Sequence, residues 1–159
     1  MDPLAHQLLV ATVLVSATVV IHLVGLDLLQ VTLRWHIARL TRWLHLDRLI
    51  VPLGIVLGLF VLHGAEIWLY ALAYWKAGVV EGLEHALYLS IGAYSTLGEA
   101  GPVLPLSWRI VGALEAVNGM LLIGWSTAFL FQILRHIMWE EEGSASLPKG
   151  AIARRQRPK

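Results

Sequence analysis

The amino-acid sequence predicts an all-α membrane protein. Of its 159 residues, 57% are hydrophobic and only 14% are charged, whereas a soluble domain is about half apolar and about a quarter charged. The apolar residues are concentrated in three long blocks instead of the short periodic stretches of a soluble core. The sequence has no cysteine, which excludes disulfides, thiolate metal sites and cysteine nucleophiles. An ordinary soluble globular domain is therefore excluded.

Each block is long enough to cross a bilayer as a helix, which takes about 20 apolar residues. The blocks are residues 8–26, 49–75 and 110–134, of 19, 27 and 25 residues. His22 is the sole titratable residue of the first block, and Glu66 and Glu115 are the sole formal charges of the second and third. We expect helices because the hydrocarbon core offers backbone polar groups no water to bond.

The basic residues predict the orientation. Ten of the 12 lysines and arginines lie between the first two spans or after the third, and positive loops stay in the cytoplasm. The segment between the second and third spans, with only Lys76 and Arg109, then lies outside. The first residues contain Asp2 and no basic residue, which disfavours a cleaved signal peptide. We therefore predict a multi-pass protein of the plasma (inner) membrane with its N-terminus outside and its C-terminus in the cytoplasm.

The sequence divides into three regions. Residues 1–48 comprise the first span and a basic amphipathic segment, residues 49–135 the second and third spans with their connection, and residues 136–159 a disordered cytoplasmic tail too short for a ligand-binding domain. Within 27–48, leucine and isoleucine recur at spacings of four and three. This predicts a helix on the inner membrane surface or a cytoplasmic extension of the neighbouring spans. Its simplest role is anchoring, and lipid sensing or gating is the alternative.

The segment 82–96 is apolar but too short to cross. Fifteen residues of helix reach about 22 Å at about 1.5 Å per residue. A polar, glycine-containing stretch, residues 95–102, follows it. We therefore predict that residues 82–102 enter the bilayer from outside and return, an arrangement permitted only where protein buries the irregular backbone or water lines it. The negative end of the short helix would then favour a cation near the middle of the membrane.

The run 86–98, Ala-Leu-Tyr-Leu-Ser-Ile-Gly-Ala-Tyr-Ser-Thr-Leu-Gly, resembles the pore helix and first filter residues of tetrameric potassium channels, where an aromatic-rich helix leads into Thr-Val-Gly-Tyr-Gly-Asp. Residues 105–109 resemble the outer turn before the inner helix, and Gly119 falls near the glycine where that helix often bends. With residues 63–66 and 124–129, the pattern is similar to small bacterial members of the two-transmembrane ion-channel superfamily with one extra N-terminal helix. The resemblance covers about residues 60–134.

The resemblance implies a homotetrameric pore-loop channel architecture with a central cation pathway for K⁺ or Na⁺ and no cofactor. It makes Gly119 a gating hinge, although close helix packing is the favoured explanation of the small residues along the third span. It assigns the selectivity filter to Ser95, Thr96, Leu97, Gly98, Glu99, Ala100 and Gly101, with the cation near Thr96, Leu97 and Gly98.

The outer half of this filter departs from the family pattern. Glu99, Ala100 and Gly101 stand in place of the tyrosine, the second glycine and the aspartate. An alanine held at positive φ costs about 1–2 kcal/mol, so we expect the usual outer filter not to form. Glu99 has two interpretations: four copies form a carboxylate ring that attracts cations and makes conduction sensitive to pH, or the side chain turns away from the axis and bonds behind the filter.

Polar residues inside membrane spans are functional candidates. His63 and Glu66 lie one turn apart in the second span, and we expect them to pair with each other or with polar atoms behind the short helix. Glu115 and Asn118 lie one turn apart in the third span, and we expect them to brace the filter, with lining of the cavity as the alternative. The residues predicted to support the filter are Tyr94, Glu115, Asn118, His63 and Glu66, with Tyr94 or Ser95 as the partners of Glu115 and Asn118.

The predicted function is passive cation conduction, with the lipid bilayer and three further copies of the chain as partners and no nucleic acid. One alternative is a non-conducting sensor or partner subunit with the same architecture. A second is a membrane metal-binding protein or enzyme that uses His63 and Glu66; His22, His85 and Glu84 are further ligand candidates, although no spacing requires them. We expect no catalytic residue, because no nucleophile and base converge in the sequence. We expect no resident metal, because His63 and Glu66 supply only two ligands from one helical face.

Overall fold

The computed structural model describes residues 2–40, 47–98 and 104–145, and the side chains of residues 2–33, 35, 52–98 and 104–135. Within these residues all secondary structure is helical, which confirms the all-α prediction. The helices are α1 (Pro3–Leu40), α2 (Asp47–Lys76), α3 (Leu83–Tyr94) and α4 (Arg109–Ala145). Three stretches are long and apolar enough to cross a membrane, namely Pro3–Leu33, Pro52–Lys76 and Arg109–Arg135. The three spans read from the sequence correspond to these stretches.

Helix α1 continues past the expected end of its span. Residues 27–40 extend α1 without a break, so for these residues the separate surface helix is wrong and a continuous extension of the first span is the arrangement found. The segment contains no glycine or proline to end the helix. Leu29 and Leu33 pack against the cluster that includes Ile55 and Leu59 of α2. The amphipathic pattern therefore reflects, in its first part, packing between helices.

Helix α4 also continues past its span, to Ala145. The prediction of a disordered tail is therefore wrong for residues 136–145. The glutamates at 140–142 are good helix formers, and a helix already started in the span needs no new nucleation. Residues 146–159 of the predicted tail lie outside the described residues.

Helices α1 and α4 run parallel to each other and antiparallel to α2. The Gln7 side chain accepts a hydrogen bond from the backbone N–H of Ile110 at 3.2 Å, and deeper in the bundle Asn118 donates to Thr18 at 2.8 Å. We call the end of the bundle where α2 ends and α4 begins the Lys76 end. By the positive-inside prediction this is the outer end.

Two apolar clusters hold the helices together. The first lies toward the Lys76 end, and the second lies deeper and joins α1 to α2. Polar side chains occupy the level between them. The first cluster consists of Ala11, Tyr70, Ala71, Tyr74, Ala86, Leu89, Leu104 and Val111, and the second of Leu26, Ile55, Leu59 and Leu62.

Helix α3 packs against α2 and α4 and reaches only halfway along them. It begins after Gly82, whose φ of 84° favours glycine, and its 12 residues span about 18 Å. Its last residue, Tyr94, contacts Glu66, near the middle of the candidate span Pro52–Lys76. Leu104 is back in the first cluster beside Tyr74. The chain therefore descends from the Lys76 end along α3 and has returned toward that end by Leu104.

Candidate functional site

The chain reverses direction immediately after α3. The Ser95 backbone N–H and hydroxyl both donate to the Ile91 carbonyl, at 3.0 and 2.6 Å, and the Thr96 N–H donates to the Ala93 carbonyl at 3.0 Å. These bonds satisfy terminal carbonyls and end the helix. Thr96 then has φ 59°, a left-handed conformation that is rare for a β-branched residue. The turn therefore contains a strained residue, and such residues cluster at functional sites.

The residues after the turn return against α3. A side chain at Gly92 would meet the carbonyl oxygen of Gly98 at 3.0 Å, so glycine at 92 permits this close approach. Gly98 itself has φ 80°, and the Leu97 side chain is 82% exposed. The structure thus brings the predicted filter residues 95–98 together at the buried end of α3. The remaining predicted filter residues, Glu99, Ala100 and Gly101, lie outside the described residues.

Two histidines, a glutamate and a tyrosine meet behind this turn; we call them the histidine cluster. It consists of His22 of α1, His63 and Glu66 of α2, and Tyr94 of α3. The Glu66 carboxylate lies 2.8 Å from His22 Nδ1 and 3.2 Å from His63 Nδ1, and it accepts a hydrogen bond from the Tyr94 hydroxyl. His63 and Glu66 therefore pair with each other and with the end of α3, as the sequence predicts. His22 is a partner that no spacing indicated.

A second polar group lies one turn back along α3. The Glu115 carboxyl group accepts hydrogen bonds of 2.5 Å from Tyr74 and from Ser90, and Ser90 also lies 2.9 Å from the Ile67 carbonyl. Glu115 does bind the short helix, but the predicted partners Tyr94 and Ser95 are wrong. The reason is rotational, because Ser90 is the α3 residue that faces α4 at that depth while the Tyr94 hydroxyl is bound in the histidine cluster.

Asn118 also has a partner other than the expected one. Its amide donates to Thr18 of α1 at 2.8 Å, so it braces α1 against α4 instead of contacting Tyr94 or Ser95. Thr18 in turn lies 2.9 Å from the Val15 carbonyl and 3.1 Å from the Leu14 carbonyl, within its own helix. Asn118 therefore supports the end of α3 only through the packing of the spans.

Gly119 lies against the last residue of α3. A side chain at this position would collide with the backbone carbonyl oxygen of Tyr94 and would lie 2.9 Å from its ring. By contrast, a Cβ atom at Gly124 would meet no atom of another element within 4 Å among the described residues. Close packing therefore accounts for Gly119 directly, and its use as a hinge stays a prediction.

The remaining ligand candidates from the sequence lie elsewhere. Glu84 and His85 are exposed at the beginning of α3, and His85 Nδ1 lies 2.9 Å from the Glu81 carbonyl oxygen. Neither residue contributes to the histidine cluster. Of the three further ligand candidates, His22 alone lies in the histidine cluster. The residues that sequence reasoning missed are Thr18, Tyr74 and Ser90, and the signal available was polar side chains at matching depths in different spans.

Together these contacts fix α3 at two successive turns. Ser90 is bound to α4 through Glu115, and Tyr94 is bound to α2 through Glu66.

In comparisons with protein-family models, curated proteins and solved structures, no match to this chain was found.

Proposed function

We propose that the chain is one subunit of a cation channel, in which four copies of the segment between α2 and α4 surround a shared axis across the membrane. Each chain crosses the bilayer three times, with its N-terminus outside and its C-terminus in the cytoplasm. Residues 82–102 enter from the outer side and return to it. Thr96, Leu97 and Gly98 supply the oxygen atoms that contact the permeant ion.

The observation that carries the proposal is exposed, non-helical backbone halfway along the spans. Residues 95–98 are exposed in the single chain, although Tyr94 contacts Glu66 near the middle of a candidate span. Irregular backbone at that depth is tolerated only where protein buries it or water lines it. Further copies of the chain around a water-filled axis meet both conditions, whereas a single chain surrounded by lipid meets neither.

The direction of α3 favours a positive ion at this point. The helix begins toward the Lys76 end and ends beside Glu66, so its negative end points toward the middle of the membrane. Four such ends around one axis stabilise a cation electrostatically in the way that oriented half-helices and carbonyl rings do in channels. The Thr96 hydroxyl adds an oxygen ligand at the same level.

The contacts behind the turn suit a site that must hold its shape. Tyr94 is bound through its hydroxyl to Glu66, its ring is 5.8 Å from the His63 ring, and Gly119 lies against its backbone. A binding site keeps the geometry that its ligand needs when the residues packed behind it restrict its movement. The polar contacts thus serve conduction by fixing the last turn of α3.

Reversal potentials test the proposal directly. The purified protein, reconstituted in liposomes under mixed K⁺ and Na⁺, is expected to conduct cations and not anions. A sealed and folded oligomer that passes neither K⁺, Rb⁺ nor Na⁺ would contradict conduction and would favour the non-conducting alternative. An oligomer with contacts only through other surfaces would contradict the shared axis.

A pair of threonine variants locates the ion path. Thr96→Val removes the hydroxyl and keeps the β-branched shape, so we expect lower flux or altered K⁺/Na⁺ selectivity, while Thr96→Ser retains both. Thr12→Val is the matched control, because Thr12 is exposed on α1 and its hydroxyl bonds only to the Leu8 carbonyl in the described structure. Equal currents from the wild type and Thr96→Val would remove Thr96 from the path.

A further inference from the structure

The histidine cluster has the composition of a transition-metal site. His22, His63 and Glu66 each offer one ligand atom, and these atoms all lie within 4.8 Å of one another. The Tyr94 hydroxyl is 2.8 Å from His63 Nδ1 and bonds to the Glu66 carboxylate, so its oxygen is the candidate for a fourth ligand atom. Imidazole nitrogen and carboxylate oxygen are the ligands that Zn²⁺ and its neighbours in the first transition row accept.

The spacing of these atoms is close to that around a four-coordinate ion. Zn–N bonds of about 2.0–2.1 Å place the corners of a tetrahedron about 3.3 Å apart. Glu66 Oε1 is 2.8 Å from His22 Nδ1, Glu66 Oε2 is 3.2 Å from His63 Nδ1, and the ligand atoms of the three residues all lie within 4.8 Å of one another. Small side-chain movements therefore make room for the ion, and no helix has to move.

Three polar atoms of the cluster lie close together and share at most two protons. His63 Nδ1, the Tyr94 hydroxyl and one Glu66 oxygen lie within bonding distance of one another. With the carboxylate ionised, the imidazole nitrogen and the hydroxyl together supply at most two protons for these three contacts. A cation at the centre satisfies the lone pairs of all three atoms at once.

The surroundings of His22 fit a metal ligand. A ligating histidine usually has a partner for its second ring nitrogen, which fixes the ring and its tautomer. His22 Nε2 lies 3.4 Å from the Ser126 hydroxyl, and both residues are buried. The His63 side chain, in contrast, is 17% exposed. Ser126 thus fixes the orientation of His22, and the partly exposed His63 gives an ion access to the cluster from outside the bundle.

We propose that His22, His63, Glu66 and Tyr94 bind one divalent first-row transition-metal ion, with Zn²⁺ as the representative ion, which ties α1 and α3 to α2. Four protein ligands leave no open position, so the bound metal has a structural role. The inference does not depend on ion conduction. Its test uses protein in detergent, so its failure leaves the channel proposal unaffected, and a non-conducting protein leaves the metal proposal unaffected.

The test is metal binding by the full chain. The protein is purified without a polyhistidine tag, treated with a chelator and dialysed against Zn²⁺ or Co²⁺. Elemental analysis is expected to give one ion per chain, and Co²⁺ is expected to give the visible absorption of a four-coordinate site. An excess of Mg²⁺, which prefers six oxygen ligands, should not displace it. Folded wild-type protein that takes up no Zn²⁺ or Co²⁺, or that loses it to Mg²⁺, would overturn the proposal.

Variants locate the ion. His22→Gln and Glu66→Gln should each weaken Zn²⁺ affinity by more than about 100-fold, since even a partner of a ligand typically contributes about 10–100-fold. The matched control is His85→Gln, at an exposed histidine outside the cluster, and it should bind like the wild type. Retained affinity in His22→Gln, or equal loss in His85→Gln, would contradict the assignment.

A milder variant covers the case in which the ligand variants fail to fold. Ser126→Ala removes only the partner of His22 Nε2 and is expected to reduce Zn²⁺ affinity by about 10–100-fold while the helical content stays unchanged. The unfolding temperature of the wild type should rise with added Zn²⁺, and that of Ser126→Ala should rise less at the same concentration. Equal affinity of the two folded proteins would refute the placement of His22 in the site.

Discussion

Replacing Gly119 by alanine tests how tightly α4 packs on the end of α3. The new Cβ atom would collide with the Tyr94 carbonyl oxygen and lie 2.9 Å from its ring. The Tyr94 side chain is restricted in moving away from the added methyl group, because its hydroxyl is bound to Glu66 and its ring lies beside His63. Inserting a methyl group into such packing costs about 1–3 kcal/mol, against a gain of about 1 kcal/mol in helix propensity.

Gly124→Ala is the matched control for this change. Gly124 lies on the same helix, and within the part of the chain that the structure describes an added Cβ atom there would meet no neighbouring element within 4 Å. The variant therefore gains helix propensity without the collision. The difference in unfolding free energy between the two variants therefore isolates the packing cost, which we expect to be about 1–3 kcal/mol. Equilibrium unfolding in mixed micelles, followed by tryptophan fluorescence, measures it. Equal stability of the two variants would refute the packing argument and favour Gly119 as a hinge without a close contact.

Three further predictions concern single side chains. Tyr74→Phe removes a bond to the Glu115 carboxyl group and should destabilise the protein by about 1–2 kcal/mol. Tyr70→Phe should change the unfolding free energy less, because the buried Tyr70 hydroxyl makes no hydrogen bond of normal length and angle among the described residues. A larger loss in Tyr70→Phe than in Tyr74→Phe would contradict the assigned bonds. Thr96→Gly should raise stability by about 1 kcal/mol by relieving the strain of its positive φ while lowering cation flux, and a parallel fall in both would show that the strain is absent. Glu99→Gln should lower cation flux or shift selectivity in reversal-potential measurements, and unchanged currents would place Glu99 away from the pore.

The sequence predicts where the helices lie along the chain, because the position of each helix depends on the composition of that stretch alone. Long apolar blocks define the candidate spans, and the segment after Gly82 is too short to be one of them. Helix ends were predicted less well, since nothing in residues 27–40 or 136–145 stops a helix already formed in a span. The prediction of disorder after the third span did not take into account that the helix continues there.

The partners of the polar residues were predicted only in part. His63 and Glu66 are one turn apart, so their pairing follows from helical spacing. His22 is 44 positions from Glu66, and their contact depends on how α1 is rotated against α2. The spans are apolar on nearly every face, so periodicity does not fix that rotation. Polar residues at equal depth are then the best guide, because an unpaired polar group in lipid is costly.

The same cost gives the polar contacts their structural consequence. Apolar faces alone leave the rotation of α3 weakly determined, because lipid chains replace apolar neighbours at little cost. Ser90 and Tyr94, however, lose their hydrogen bonds to Glu115 and Glu66 if α3 rotates or slides. These two bonds, to α4 and α2 at successive turns, define one position for the end of α3. The turn at residues 95–98 is therefore held by bonds that the surrounding lipid is unable to replace.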